Sequence, residues 1–320
     1  MSLSKEKSEK LMAIAKLYYE ENKTQNEIAQ SLKISRPLVS RYLSEAREYG
    51  IVKIQIQNPI EERKQILDKL QHYFGIRGGA VIETRQNAVD TNSDIAKVII
   101  NGLEAASGMT IGIGWGYIIG IITEELLKRP ARQLHTVVYP LVADSHVFNR
   151  NYHCNKIASV LATQTGGQIY KWEAPAFVDS PEEMKHLKES ENYHQMEIGW
   201  RAMKIAFVNI GNYPSVPDFA TAARYGSKLA DKKAVGKLLC YYYDIHGNII
   251  KSDLDCTMQI PLEILAKRKF VVGICGSNVH HKALTGALKT GIFTHIVASK
   301  EILERVLIEI EKKEGIKPYI

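Results

Sequence analysis

The apolar positions change period twice along this 320-residue chain. Over residues 5–49 they recur every three or four residues, the spacing of amphipathic helices. Lys5–Glu21 sets Leu11, Ile14, Ala15, Leu17 and Tyr18 on one side. Thr24-Gln25-Asn26-Glu27 follows with capping-box spacing, a hydroxyl and then a carboxylate three residues on. Ile28, Ala29 and Leu32 continue at helical spacing to a second N-cap at Ser35. Pro37 falls in the next first turn, where a missing N–H costs little, and Gly50 supplies the stop. Ile51–Gln57 then alternates apolar and polar residues, predicting a strand that forms a short wing, and Asn58-Pro59 breaks the chain.

These elements predict a trihelical helix-turn-helix unit. At roughly 100° per residue, Leu38, Val39, Tyr42, Leu43, Ala46 and Tyr49 share one side of the last helix. Arg36, Ser40, Ser44, Arg47 and, marginally, Arg41 share the other. That second side combines guanidiniums with small hydroxyls, a set able to grip phosphates and read base edges. Arg36, Ser40 and Arg47 are the leading DNA-contact candidates, followed by Arg41 and Ser44. Thr24, Gln25, Ser35 and Pro37 at the helix starts complete the set. The alternative is a solvated amphipathic helix in an unrelated hairpin.

Beyond residue 78 short buried strands alternate with helices. Strands are expected at Ala80–Glu83, Met109–Ile113, His135–Val142, Ile205–Ile210, Phe270–Cys275 and Ile296–Ala298. Helices are expected at Asp94–Ala106, Tyr117–Leu127, Asn155–Thr165, Val279–Lys289 and Glu301–Lys312. Such alternation implies a doubly wound, mainly parallel α/β domain, in which ligands sit beyond the carboxyl ends of the strands. The division read from this pattern is a DNA-binding domain at 1–58, a connecting helix (Glu61–Phe74) and linker at 59–77, and a large α/β ligand-binding domain at 78–320.

Bulk chemistry narrows this only slightly. The net charge is +7, and residues 1–59 carry ten Lys/Arg against seven Asp/Glu, a surplus of three. Charge therefore permits nucleic-acid binding without requiring it. The four cysteines, Cys154, Cys240, Cys256 and Cys275, form no CxxC pair, which argues against a zinc site or disulfide framework and fits a reducing cytoplasm. The start of the chain is polar, unlike a signal peptide, and Met109–Thr123 is too short and glycine-rich for a membrane span. No cofactor or metal is expected.

Two glycine loops are the ligand candidates. Gly112-Ile113-Gly114-Trp115-Gly116 lies between a strand and the helix starting at Tyr117, whose first N–H groups could hold an anion. It fits neither G-x-G-x-x-G nor a P-loop, and a purely structural turn is the competing reading. Gly276-Ser277-Asn278 lies in the equivalent place, with His280, His281 and Lys282 in the following turn. Adjacent histidines on a helix diverge, which disfavours a metal site. Asp218, Arg224 and Asp255 are further loop candidates. No G-x-S-x-G, H-E-x-x-H or recognisable Cys/His arrangement argues for an enzyme.

The chain resembles the SorC family of bacterial transcription regulators over nearly its whole length. The resemblance rests on Asn26-Glu27-Ile28-Ala29 through Ser40-Arg41, Ala46-Arg47-Glu48-Tyr49-Gly50-Ile51-Val52, Gly112–Gly116, Ala174-Pro175-Ala176-Phe177-Val178-Asp179-Ser180-Pro181, Ala234-Val235-Gly236 and Val271–Gly291. It implies operator DNA as one partner, a small phosphorylated sugar or polyol as effector, and a homo-dimer or tetramer with no membrane attachment. The large domain would be related to sugar-phosphate isomerases. Three departures stand out. Gly114 and Ile118 replace hydroxyl residues, Lys237 replaces an acid, and His280 replaces a lysine. Gly114, Lys237 and His280, with Gly112, Trp115, Gly116, Tyr117, Asp218, Arg224, Asp255, Gly276, Ser277 and Lys282, mark the expected effector site. The rival is an isomerase-like enzyme carrying a DNA-binding head; a DNA-binding protein without a ligand is a third reading.

Overall fold

The computed structural model describes residues 4–53, 59–145, 149–215, 224–252 and 255–314. It divides into two compact units, Met1–Pro59 and Ile60–Ile320.

The small unit is built from α1 (Lys5–Tyr19), α2 (Gln25–Leu32) and α3 (Arg36–Glu48). The capping box is formed: the Glu27 N–H donates to Thr24 Oγ1 at 3.3 Å, and the Thr24 N–H donates to Glu27 Oε2 at 2.7 Å. Lys33, at φ +53°, turns the chain out of α2 in the left-handed conformation that usually falls to glycine. Ile14, Ile28, Val39 and Leu43 form the centre of the unit, and Leu11, Ala15 and Ala46 form a second cluster. Glu45 ties α1 to α3, meeting Lys7 Nζ at 2.8 Å and Arg41 Nε at 2.9 Å. Those two cations hold its carboxyl below the usual range, Lys7 having the larger effect.

Two expectations fail here. Tyr49, assigned to the inward side of α3, is 46% exposed because it is the cap residue, after which the chain reverses at Gly50 (φ +70°). Ile51–Lys53 do not begin a strand. The Val52 N–H folds back onto the Ala46 carbonyl at 3.0 Å, and Ile51 and Val52 pack on the second cluster. The rest of the expected wing, residues 54–57, lies outside the described residues.

The large unit opens with α4 (Pro59–Phe74), which is no bare linker: Ile66 and Leu70 are buried in the main core, and Lys69 meets buried Glu311 at 2.7 Å. There follow β1 (Gly78–Ile82), α5 (Ala88–Gly102), β2 (Thr110–Ile113), α6 (Tyr117–Leu127), β3 (Val137–Pro140), α7 (Cys154–Gln164) and β4 (Gln168–Ile169). Next come α8 (Pro181–Lys188), α9 (Glu191–Ala202) and β5 (Ile205–Asn212). β6 (Ala234–Leu238), β7 (Tyr241–Asp244) and β8 (Ile249–Ile250) precede β9 (Phe270–Cys275) and β10 (His295–Ser299). Helices His281–Lys289 and Lys300–Lys313 flank β10.

The strands lie in the order β1-β10-β9-β5-β2-β3-β4 and pair in parallel. From β2 the chain winds outward to β3 and β4, whereas β5 returns to the other side of β2 and leads toward β9. The connections therefore diverge between β2 and β5, where such sheets open a crevice. β5 also outruns its parallel neighbours. Its last residues pair antiparallel with β6, Gly211 opposite Lys237, and β6–β8 form a meander.

α8, α9 and the meander were not foreseen. Tyr241-Tyr242-Tyr243 shows no alternation, because Tyr242 and Tyr243 are both fully buried. α9 is held by Trp200, which packs edge-on against Trp172 at 4.8 Å and donates its Nε1 hydrogen to the Pro140 carbonyl at 3.0 Å. It approaches the sheet through Gly199, where an added Cβ would stand 2.0 Å from Cε1 of Tyr139. That ring is pinned by stacking on Tyr170 at 4.9 Å.

Steric contact thus reverses the ordinary helix preference of alanine over glycine. Gly199→Ala is expected to destabilise the large domain by about 1–3 kcal/mol. Gly102→Ala, whose added methyl meets nothing within 4 Å, should be neutral or stabilising by up to about 1 kcal/mol. Urea midpoints compare the two, and an unchanged midpoint for Gly199→Ala would remove the close approach as a constraint.

Candidate functional site

In the small unit, α3 presents Arg36, Ser40 and Arg47 to solvent, with Pro37 in its first turn. Arg41 is exposed, but its Nε is drawn to Glu45. Ser44 is half-buried and accepts from Arg47 Nη2 at 3.3 Å. The Thr24 hydroxyl is engaged in the capping box, whereas Ser35 is exposed and makes no side-chain cap. Gln25 lines a cleft of ≈ 550 Å³ together with Tyr18, Lys23, Thr24 and Arg36. The first turn of α2 and two cations therefore border one opening of the size and sign that suits a phosphate backbone.

In the large unit, the Gly112–Gly116 loop ends β2 on one side of the divergence. Its glycines answer to packing. An added Cβ at Gly112 would meet Met203 Sδ at 2.5 Å, and at Gly114 it would meet Leu239 at 2.7 Å. Gly116 (φ +123°) needs both its backbone angle and its missing Cβ, since Asn209 Nδ2 lies 2.6 Å from that position. The Gly114 and Gly116 N–H groups donate to the carbonyls of Phe207 and Asn151, both at 2.9 Å, so neither is turned toward the crevice as a donor. The first turn of α6 has no side-chain cap, and Tyr117 begins it 46% exposed. Ile118, fully buried, faces the core and the Gly276 loop.

Beside the end of β5 stands Lys237 on β6. Its stem lies over Gly211, whose added Cβ would be 3.0 Å from Lys237 Cε. Its Nζ sits 5.6 Å from the Tyr152 ring centre. The side chain is almost wholly buried, and desolvation of the ammonium lowers its pKa to about 8, partly offset by Cys240. A chain of rings leads onward from it. Tyr152 packs edge-on against Trp115 at 5.5 Å, and Trp115 tilts against Phe177 at 6.1 Å. The Arg224 guanidinium lies 4.9 Å from the Phe177 ring centre and donates to the carbonyls of Val178 and Cys256. Asp255 accepts from the Tyr225 hydroxyl at 2.9 Å and from Thr257 Oγ1.

The second loop closes the other side. The Ser277 N–H donates to Asn92 Oδ1 at 2.8 Å and its hydroxyl to the Ala88 carbonyl at 3.2 Å. His280 is an N-cap residue: its Nδ1 accepts from the Lys282 N–H at 3.3 Å, while its own N–H donates to Asn212 Oδ1 at 2.7 Å. Burial, then His281 and Lys282, lower the His280 pKa, so it stands as a neutral ring at pH 7. The Lys282 side chain is exposed.

Gly112–Tyr117 and Lys237 thus border the β2/β5 divergence, and Gly276–His280 are clamped to the end of β5 through Asn212. Arg224 and Asp255 stand farther along the aromatic row. Asp218 lies outside the described residues. Sequence reading missed Asn92, Asn151, Tyr152, Phe177, Asn209 and Asn212, which fix both loops. Only Asn209 carries a sequence signal, as an asparagine inside the apolar segment Ile205–Ile210.

The family described as "Putative sugar-binding domain" matches residues 58–308. The sorbitol operon regulator of Klebsiella pneumoniae is 25% identical over 308 residues, which cover 93% of this chain and 97% of that one. The deoxyribonucleoside regulator of Bacillus subtilis is 24% identical over 318 residues, covering 96% and 99% respectively. The crystal structure of the full-length Klebsiella regulator superposes with a TM-score of 0.68 at 22% identity, covering 96% of this chain and 100% of that one. Among the described residues no helix is long and apolar enough to cross a membrane. The chain belongs to the SorC family of bacterial sugar-binding transcription regulators.

Proposed function

We propose that this regulator binds operator DNA through α3 and releases or repositions it when a small phosphorylated sugar or polyol enters the β2/β5 crevice. Lys237 is the observation that carries the ligand half of this reading. It is a buried cation opposite Gly211 at the end of β5, α6 starts uncapped after the β2 loop, and the two together would suit an anionic group. The names of the sorbitol operon and deoxyribonucleoside regulators are consistent with a polyol or sugar derivative. Tyr152 and Trp115 would face the apolar side of such a ligand. Tyr117 and Ser277 stand at the crevice rim, while Arg224 and Asp255 would act at its far end.

For DNA, we assign contact to Arg36, Ser40 and Arg47, with Thr24 acting by fixing the start of α2. A single small head buries too little surface for high specificity, so a homo-oligomer presenting paired heads is part of the proposal. Ligand control then works by favouring one of two spacings of those heads. The deciding experiment is a gel shift on DNA upstream of the chain's own gene, with and without phosphorylated sugars and polyols. Turnover of sugar phosphates would instead favour an enzyme with a DNA-binding head.

Arg47→Ala should leave the fold intact and weaken operator binding by about 1–3 kcal/mol. Unchanged affinity would remove Arg47 from the interface.

The Lys237 proton supplies a second check. Because burial depresses this pKa to about 8, the charged form is penalised in the folded state. The penalty is complete below pH 8 and lifts as pH rises toward the unfolded value of about 10.4. An anion beside Lys237 raises the pKa again. Binding at pH 8 should therefore take up roughly half a proton per chain, falling toward zero below about pH 7. Calorimetry in buffers of different ionisation enthalpy measures this, and Lys237→Met should abolish it. Proton uptake of the same size in that variant would assign the anion to another group.

A further inference from the structure

The crevice lies at the carboxyl ends of the strands; the opposite end of the same sheet carries a second opening. There α5 and the turn after it stand away from β1, β10, β9 and β5, leaving a groove of ≈ 420 Å³. This lies within the ~300–1,000 Å³ range of small-molecule sites. Buried Phe207 and Val297 form its floor, and Phe270, Val98 and Ile99 form its walls. Val98 is 37% exposed on the middle of a helix, so the groove is open to solvent.

One charged side chain, Lys269, lines the groove. Arg77, Lys204 and Lys269 are the residues immediately before β1, β5 and β9, and all three are exposed. The Lys269 Nζ stands 5.2 Å from the centre of the Phe270 ring. Arg77 Nη2 donates to the Lys269 carbonyl at 3.0 Å, which draws its guanidinium to the same entrance. His295 adds no charge at neutral pH, since burial and then Arg77 lower its pKa. The acids on the neighbouring helical segment are engaged elsewhere, Asp94 with Arg85 and Lys97, and Glu104 with Arg132. An isologous contact with a second copy would set these cations against themselves. A membrane-free partner with an apolar body and a negative head removes that repulsion.

We propose that this groove is a second ligand site, separate from the crevice, for a small amphipathic carboxylate. Its apolar body lies against Phe207, Phe270 and Val98, and its carboxylate meets Lys269 and Arg77. The site would give the regulator a second chemical input, applied to the opposite edge of the strands that end at the crevice.

Calorimetric titration of the full chain with decanoate tests this, with acetate and decanol as controls for head and body alone. Saturable binding of one decanoate per chain is expected, and at least tenfold weaker binding of either control. Lys269→Glu, a surface change, should weaken decanoate about tenfold or more by replacing attraction with repulsion. Ala105→Trp, from an exposed rim position, should block it by filling the groove. Absence of saturable binding overturns the proposal, as does equal affinity in both variants. So does sedimentation showing that Ala105→Trp splits a wild-type oligomer, since that would make the groove a subunit contact.

Discussion

The large domain depends on the position of β5. This strand pairs in parallel with β9 over six residues and with β2 over three, then continues past both to pair with β6. Parallel neighbours require crossover connections, and here those connections leave β2 and β5 in opposite directions. A gap at their carboxyl ends follows from that topology. The end of β5 contributes Asn209, Gly211 and Asn212 beside the gap, and the antiparallel partner it recruits delivers Lys237. A shift of one residue in the β5/β6 register would turn Lys237 to the other face of the hairpin.

Close packing and ligand access compete for the same glycines. Gly112 and Gly114 lack side chains because Met203, Leu141 and Leu239 occupy the space, and Gly116 also needs its unusual φ. Their amides are engaged within the protein. The first turn of α6 and the buried ammonium of Lys237 are electropositive features near the β2/β5 divergence. That ammonium is almost wholly buried beside the Tyr152 ring, and its desolvation lowers the pKa to about 8. A lysine in this state differs physically from the acid that the family resemblance led one to expect there. Its environment favours an anion, where a carboxylate would favour hydroxyl donors.

Much of the architecture is legible in the sequence. Lys5–Tyr19, Gln25–Leu32 and Arg36–Glu48 announce themselves through periodicity and caps, and those signals are local. Tyr117–Leu127 and Phe270–Cys275 were readable for the same reason, each bounded by glycine or charge. α8, α9 and the β6–β8 meander were hidden. Their residues are chosen by neighbours distant in sequence, as Trp200 is by Trp172 and Pro140, and as the tyrosines of β7 are by burial on both faces. The missing strand at Ile51–Lys53 has a related cause: an alternating pattern buries its apolar residues equally well by folding back on Leu11 and Ala46.

By itself the sequence determined the trihelical head, the alternating strands and helices, and the two glycine loops, since each is encoded by residues within a turn or two of one another. It also determined that Lys237 and His280 depart from the family pattern. Only the tertiary structure decided what those departures are. Lys237 is buried across from Gly211, and His280 caps a helix as a neutral ring. Strand order alone placed the glycine loops beside β5 and the three cations at the opposite end of the sheet. Burial, charge state and proximity are set by pairings between residues tens of positions apart, and no local pattern records them.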